Sequence, residues 1–343
     1  MGTKAQGARL EPGPACRSRH TQLKSAIGNP FVNGQGKNQI WSSSSEKTLM
    51  SDYKRNHWVP QGYLRHFACD AEKKRIWRFS KDEGDPERKR IDKVAYRHHL
   101  YTPRSADGTR DTSFEKRLSE LERFFGERPW EVLGSDFVDL GWRPLRKMIA
   151  LNAAVMFLRN PRALETTRAI HDRFVAFYKS VPELPQAITL NGRKVAVDPG
   201  DWPAFRDAGA EDIKRNWIEI IGKDAAALAK RLMAMRWAVL VAEEPVFITS
   251  DHPVAAIHPS LEFKGVNDRQ TSILFPISPT SVLSMDHEMT EPDGQYYAAP
   301  NRGAHINLLI WRFATEHMYS SRPVDLVLKE LVDEADRSGF QFL

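Results

Sequence analysis

Asn56-His57-Trp58-Val59-Pro60-Gln61-Gly62-Tyr63-Leu64-Arg65-His66-Phe67 stands six residues after an internal methionine, Met50. Pro60-Gln61-Gly62 is a turn signal, and the residues Tyr63, Leu64 and Phe67 behind it are spaced i, i+1, i+4. That spacing predicts a short helix docked by one face. Met50-Ser51-Asp52-Tyr53-Lys54-Arg55, just upstream, reads as an amino terminus. Residues 1–49 are rich in Gly, Ser, Asn, Gln and Lys and include a Ser42–Ser45 run. Such a composition buries too little apolar surface to offset the entropy of ordering it. The expectation is a disordered leader, or an upstream start, over 1–49 and one domain over 50–343.

Outward from this stretch, Arg75–Ser80 alternates apolar and polar residues and predicts a strand. Ile91–Tyr101 reads as an extended or mixed segment. From Thr112 the period becomes helical: Phe114, Leu118, Leu121, Phe124 and Phe125 recur before a stop at Gly126. Further helices are predicted from Pro144 to Arg159 and from Pro161 to Lys179. A hairpin is expected over Ile188–Val197, turning at Asn191-Gly192. Trp202–Arg236 reads as helix in two pieces, broken near Gly222. Beyond it the pattern turns to strand, with Trp237–Ala242 and Val246–Thr249 expected as one hairpin and Ser272–Ile277 with Ser281–Met285 as another. Residues 299–315 read as helix, His317–Ser321 as extended, and Val324–Arg337 as a closing amphipathic helix. A helical middle between strand-rich ends predicts an α+β fold, its mixed or antiparallel sheet built from N- and C-terminal strands.

Composition narrows the function classes. The 343 residues are 41% hydrophobic and 27% charged, ordinary for a globular protein. Of the formal charge of +6, residues 1–49 carry +5, from seven Lys or Arg against Glu11 and Glu46, which leaves +1 for residues 50–343. Nucleic acid therefore stays open as a partner without support from the charge of the body, although a local basic cleft is compatible with it. No apolar run reaches the length of a membrane span. Cys16 and Cys69 make no disulfide framework, which suits a cytoplasmic protein with reduced thiols. Walker, Gly-x-Gly-x-x-Gly, His-Glu-x-x-His and Gly-x-Ser-x-Gly patterns are absent, so the common nucleotide, zinc-protease and serine-hydrolase designs have no support.

Two segments combine polar groups with unusual local backbone: His57-Trp58-Val59-Pro60-Gln61 and Phe247-Ile248-Thr249-Ser250-Asp251-His252-Pro253. The residue before Pro253 is pushed away from helical geometry, so a short strand ends there in polar groups. In the plainer reading, Asp251 and Ser250 cap backbone N–H groups of a turn.

The order of several motifs resembles the DUF4238 family over roughly residues 56–320. The elements are His57-x-Val59-Pro60-x-x-Tyr63-Leu64-x-x-Phe67, the acidic helix positions Glu115 and Glu122, and Phe157-Leu158-Arg159-Asn160-Pro161-Arg162. Thr249-Ser250-Asp251-x-Pro253 and Phe275-Pro276-Ile277-Ser278-Pro279 complete the set. The resemblance implies a domain outline rather than a reaction.

Chemically, His57 with a carboxylate can serve as an acid–base pair or as metal ligands, and Arg159 at a helix end suits a phosphate or carboxylate. The sharpest expectation is a metal-assisted, nuclease-like hydrolase. His57, Asp251 and Glu122 would be its catalytic candidates, Arg159, Gln61 and Ser250 would bind substrate, and His57 and Asp251 would be the candidate ligands of a divalent metal. The rival is a non-catalytic module binding a ligand or a protein. Convergence of these side chains in an open pocket favours the enzyme; capping of turns favours the module.

Overall fold

The computed structural model describes residues 9–10, 54–82, 86–179, 187–190, 193–196, 200–299 and 303–339. The expected leader lies outside them except for Arg9–Leu10, a two-residue strand, β1. β2 (Arg55–His57) leads into α1 (Gln61–Leu64), extended by a 3-10 turn over Arg65–Phe67, as the spacing of Tyr63, Leu64 and Phe67 predicts. β3 (Arg75–Ser80) and β4 (Glu87–Arg90) follow, and then β5 (Tyr96–His98).

The middle of the chain is helical: α2 (Ser113–Glu122), α3 (Arg128–Leu133), α4 (Arg143–Leu158) and α5 (Pro161–Tyr178). Their starts follow from local chemistry. α4 carries Pro144 in its first turn, where a missing N–H costs nothing. Asn160 caps α5 by accepting from the Arg162 N–H at 2.9 Å. The expected hairpin is present as β6 (Ala187–Leu190) paired with β7 (Arg193–Ala196).

α6 (Trp202–Arg206) and α7 (Ala210–Ala234) are two pieces, but the break falls at residues 207–209 and not at Gly222. Gly222 costs only about 1 kcal/mol relative to alanine in a helix, and Trp217, Ile218, Ile221 and Ala225 bury one face across it. The break instead sits where Gly209 is extended and donates its N–H to the Asp212 carboxylate at 3.1 Å.

The C-terminal part holds β8 (Arg236–Val241), β9 (Thr249–Ser250), β10 (Ala255–Ile257), β11 (Ser272–Ser278), β12 (Ser281–Asp286) and β13 (Gln295–Ala298). α8 (Ala304–Phe313), β14 (His317–Ser320) and α9 (Val324–Ser338) close the chain. The larger sheet has the order β1-β13-β8-β12-β11-β10 and is antiparallel except between β13 and β8. A smaller antiparallel sheet, β4-β3-β14-β9, joins distant parts of the chain, as expected for this α+β fold.

The expected hairpin of 237–242 with 246–249 does not form. β8 pairs with β12 and β13, while Thr249–Ser250 joins β14 in the other sheet. Asn307 on α8 makes the crossing possible: its Oδ1 accepts from the Ile248 N–H at 3.1 Å and its Nδ2 donates to the Val246 carbonyl at 2.9 Å. These bonds satisfy backbone that a neighbouring strand would otherwise serve.

One apolar core fills the space between α1, α3, α4, α7 and the larger sheet. A second lies among α8, α9 and the smaller sheet around Phe79, Phe247, Met318 and Leu331. Gly303 precedes α8 at φ +79°, and a Cβ there would sit 2.6 Å from Phe247 Cε1 and 3.0 Å from Val246 Cγ2. Left-handed backbone and overpacking both oppose a side chain. Gly303→Ala is therefore expected to cost about 2–4 kcal/mol in urea unfolding; a change below about 1 kcal/mol would contradict this packing. Among the described residues no helix is long and apolar enough to cross a membrane.

Candidate functional site

The opening motif is first of all a plug for the larger core. Val59, Tyr63, Leu64 and Phe67 are fully buried. The Tyr63 hydroxyl donates to the Pro276 carbonyl at 2.8 Å and lies 2.7 Å from Thr249 Oγ1, which can then donate back. Its ring stacks on Phe275 with centroids 5.6 Å apart. Trp58 Nε1 donates to the Asp251 carbonyl at 2.9 Å, and Asn160 Nδ2 donates to the same oxygen at 3.2 Å. Arg159 Nε in turn donates to the Trp58 carbonyl at 2.8 Å. Motifs from four separate places in the chain thus meet at one buried junction.

Asp251 is only 2% exposed, and its carboxylate is fully occupied. Oδ1 accepts from the Thr315 N–H at 2.8 Å, and Oδ2 accepts from Glu316 and His317 at 2.9 and 3.0 Å. Burial pushes this carboxyl up to about 6, although those three N–H groups favour its charged form. The same turn is gripped from its other side by Lys81, whose Nζ donates to the carbonyls of Arg312 and Ala314 at 2.9 and 3.0 Å. Ser250 Oγ accepts locally from the His252 N–H at 3.1 Å.

Arg159 is 1% exposed and pairs through Nη1 with Glu122, while its own carbonyl accepts from the Tyr101 hydroxyl at 2.6 Å. Glu115 lies close enough to feel both Arg159 and Glu122 and is hydrogen-bonded to the Asn56 side chain. Burial, reinforced by the Glu122 charge, pushes its carboxyl up to about 7. His57 borders this cluster; Gln61 Nε2 lies 3.4 Å from its Nδ1. Burial outweighs the Asp92 backbone carbonyl and, with Arg159 nearby, pushes the imidazole down to about 4, so it is neutral at pH 7. Buried Glu115 Oε2, Arg159 Nη2 and His57 Nε2 make no hydrogen bond among the described residues.

His57, Gln61, Glu122 and Arg159 therefore gather around one cluster. Asp251 joins it through its backbone carbonyl, while its carboxylate serves the 315–317 turn, and Ser250 serves its own turn. Among the described residues no three His, Cys, Asp or Glu side chains group as a metal-binding set. The chain matches a family of proteins of unknown function over residues 55–323, which include every motif quoted above. The chain belongs to the DUF4238 family. No curated protein and no solved structure gives a significant match.

Beside the junction this DUF4238 protein has a cleft of about 480 Å³, lined among others by Trp58, Arg78, Lys89, Lys93, Arg97 and His317. Glu316 is the one carboxylate among its lining residues. Glu87 pairs with both Arg78 and Lys89. Arg97 reaches Glu165 at 2.7 Å and lies over the Trp58 ring at 5.9 Å. Lys93 makes no ion pair among the described residues. β5, which presents Tyr96, Arg97 and His98 to the cleft, is bracketed by two non-glycine residues in left-handed backbone, Ala95 at φ 47° and His99 at φ 57°. Such conformations are uncommon outside glycine and cluster where a site is held in a particular shape.

No motif in the sequence singles out the cleft's cations. The available signal was local: Arg78, Lys89, Lys93 and Arg97 lie within twenty residues of one another, a density that averaging over the whole body conceals.

Proposed function

We propose that this DUF4238 protein is a non-catalytic binding module for a phosphate-bearing anion, seated in the cleft beside Trp58. The observation that carries this reading is structural division of labour. The junction residues hold the cleft's walls, and the walls supply the charge. Asp251 fixes the turn that presents Glu316 and His317. Arg159 fixes Trp58, which lies under Arg97. The four cations converging from three strands and a turn outnumber the carboxylates that meet them, Glu87, Glu165 and Glu316, which leaves a local positive potential, and guanidinium groups suit phosphate geometry.

The rival hydrolase, built on His57, Asp251 and Glu122 with a divalent metal, draws less from this geometry. Both Asp251 oxygens are taken by backbone N–H groups, and the Glu122 carboxylate already holds Arg159. A cytoplasmic setting remains part of the proposal and is consistent with the free thiol of Cys69.

Isothermal titration of the full chain with pyrophosphate and with AMP, at low and at moderate salt, tests the reading. Binding should weaken with salt, and Lys93→Glu and Arg97→Ala should each reduce affinity about tenfold, or roughly 1.4 kcal/mol. Absence of binding to both ligands at millimolar concentration defeats the proposal. Turnover of a phosphodiester that disappears in His57→Ala would restore the hydrolase.

A further inference from the structure

A second concavity lies away from the junction, where the start of α4 faces the end of α7. It encloses about 850 Å³ and is also bordered by the segment between β12 and β13. Its chemistry differs from that of the anion cleft. The floor is apolar, with Leu151, Ala226, Ala229, Met233 and Met235. Alanines leave room along the helix, and methionine side chains adapt to varied apolar shapes.

The rim is cationic. Arg143 and Lys147 stand one turn apart on α4 and so share a face, and Lys230 belongs to the facing helix. All three are exposed, and Arg143 and Lys230 make no ion pair among the described residues. Glu291 and Asp293 are the carboxylates among the groove's described lining residues. Of these, Asp293 is taken by Arg146 Nη1 at 2.7 Å and by the Trp237 N–H at 2.7 Å. Arg236 there is matched by Asp286 outside the groove. Arg146 is nine-tenths buried at the groove wall, stacked over Trp237 at 4.5 Å, and its Nε makes no hydrogen bond among the described residues.

We infer that the groove between α4 and α7 is a binding site for an amphiphilic anion, a single acidic head on an unbranched apolar tail. The tail lies on Ala226, Ala229 and Met233, and the head is held by Arg143, Lys147 and Lys230. Positive charge beside an apolar floor selects such a molecule over either a bare anion or a neutral hydrocarbon, because each lacks one of the two interactions.

The probe is decanoate, titrated into the full chain below its micellar concentration and followed by calorimetry, with inorganic phosphate and decanol as comparisons. Decanoate should bind at least tenfold more tightly than either. The double variant Arg143→Glu, Lys230→Glu should lose at least tenfold in affinity, and so should Ala226→Trp, which fills an exposed floor position. Lys93→Glu should change nothing, which separates this groove from the cleft beside Trp58. The inference is overturned if phosphate binds as well as decanoate, if decanol does, or if affinity survives both groove variants. Circular dichroism and melting temperature confirm that each variant is folded before its affinity is compared.

Discussion

Asp251→Ala is expected to lower the free energy of unfolding by about 3–5 kcal/mol, one of the two largest effects of any single change outside the apolar core. The carboxylate serves three backbone N–H groups of the 315–317 turn, all in buried or half-buried surroundings. Each donor left without an acceptor costs about 1–3 kcal/mol, and the costs add incompletely because water can reach part of the turn. Asp251→Asn should recover only part of the loss, since its amide offers one acceptor oxygen where the carboxylate offers two. Urea denaturation with an unchanged slope would show that stability, not compactness, has moved. If Asp251→Ala unfolds within about 1 kcal/mol of the parent, the turn does not depend on it and an active role for the carboxylate regains ground.

Arg159→Met should be comparably damaging, at about 3–5 kcal/mol at pH 8. Methionine fills much of the volume but leaves the Glu122 carboxylate without its partner and the Trp58 carbonyl without a donor. It also removes the positive charge that restrains the rise of the Glu115 carboxyl. The pH dependence carries a definite sign. Glu115 already titrates near 7 in the fold, above its ordinary value of 4.5. Its protonation therefore contributes stability that is full below pH 4.5 and is lost as pH rises through 7. Without Arg159 the folded value climbs further, so the deficit of the variant should be greatest at pH 8 and shrink toward pH 5. A deficit that grows on acidification would mean that Arg159 does not act on Glu115. Comparing Arg159→Met with the double variant Arg159→Met, Glu115→Gln isolates this coupling.

The sequence made the elements legible and left their meeting hidden. Strong periodicity in 143–158 and 324–338, and clean alternation in 75–80, placed those helices and that strand within a residue or two; the helix expected to stop at Gly126 ends as an α-helix at Glu122 and finishes in a 3-10 turn over Arg123–Gly126. Segments whose backbone partners are side chains were misread. Residues 246–248 look like a strand but bond to Asn307 and Pro279, which no local pattern announces. Asp251 is a similar case. The turn-capping reading had the right chemistry, an acidic side chain on backbone N–H groups, yet the groups capped lie 64 to 66 residues further on. The candidate site was half legible: His57, Gln61, Glu122 and Arg159 do come together. Glu115, Asn56 and Tyr101 complete that cluster because of burial, and burial cannot be read from residue type. The cations of the cleft escaped notice because each is an ordinary surface residue until β3, β4, β5 and β14 are assembled.

That assembly also sets an order of events. In the smaller sheet β3 lies between β4 and β14, and the Ser80 hydroxyl meets the Glu316 carbonyl from 236 residues away. Contacts so distant in sequence carry a large loop-closure cost before they return any stability, which slows folding. During synthesis, then, β3 has one unpaired edge, Asp251 has no turn to hold, and the wall formed by Glu316 and His317 is missing until residues 315–320 leave the ribosome. A chain cut before residue 315 should keep much of its helical middle but lack one wall of the cleft beside Trp58, so the proposed anion binding would be acquired only after the 315–320 segment is made.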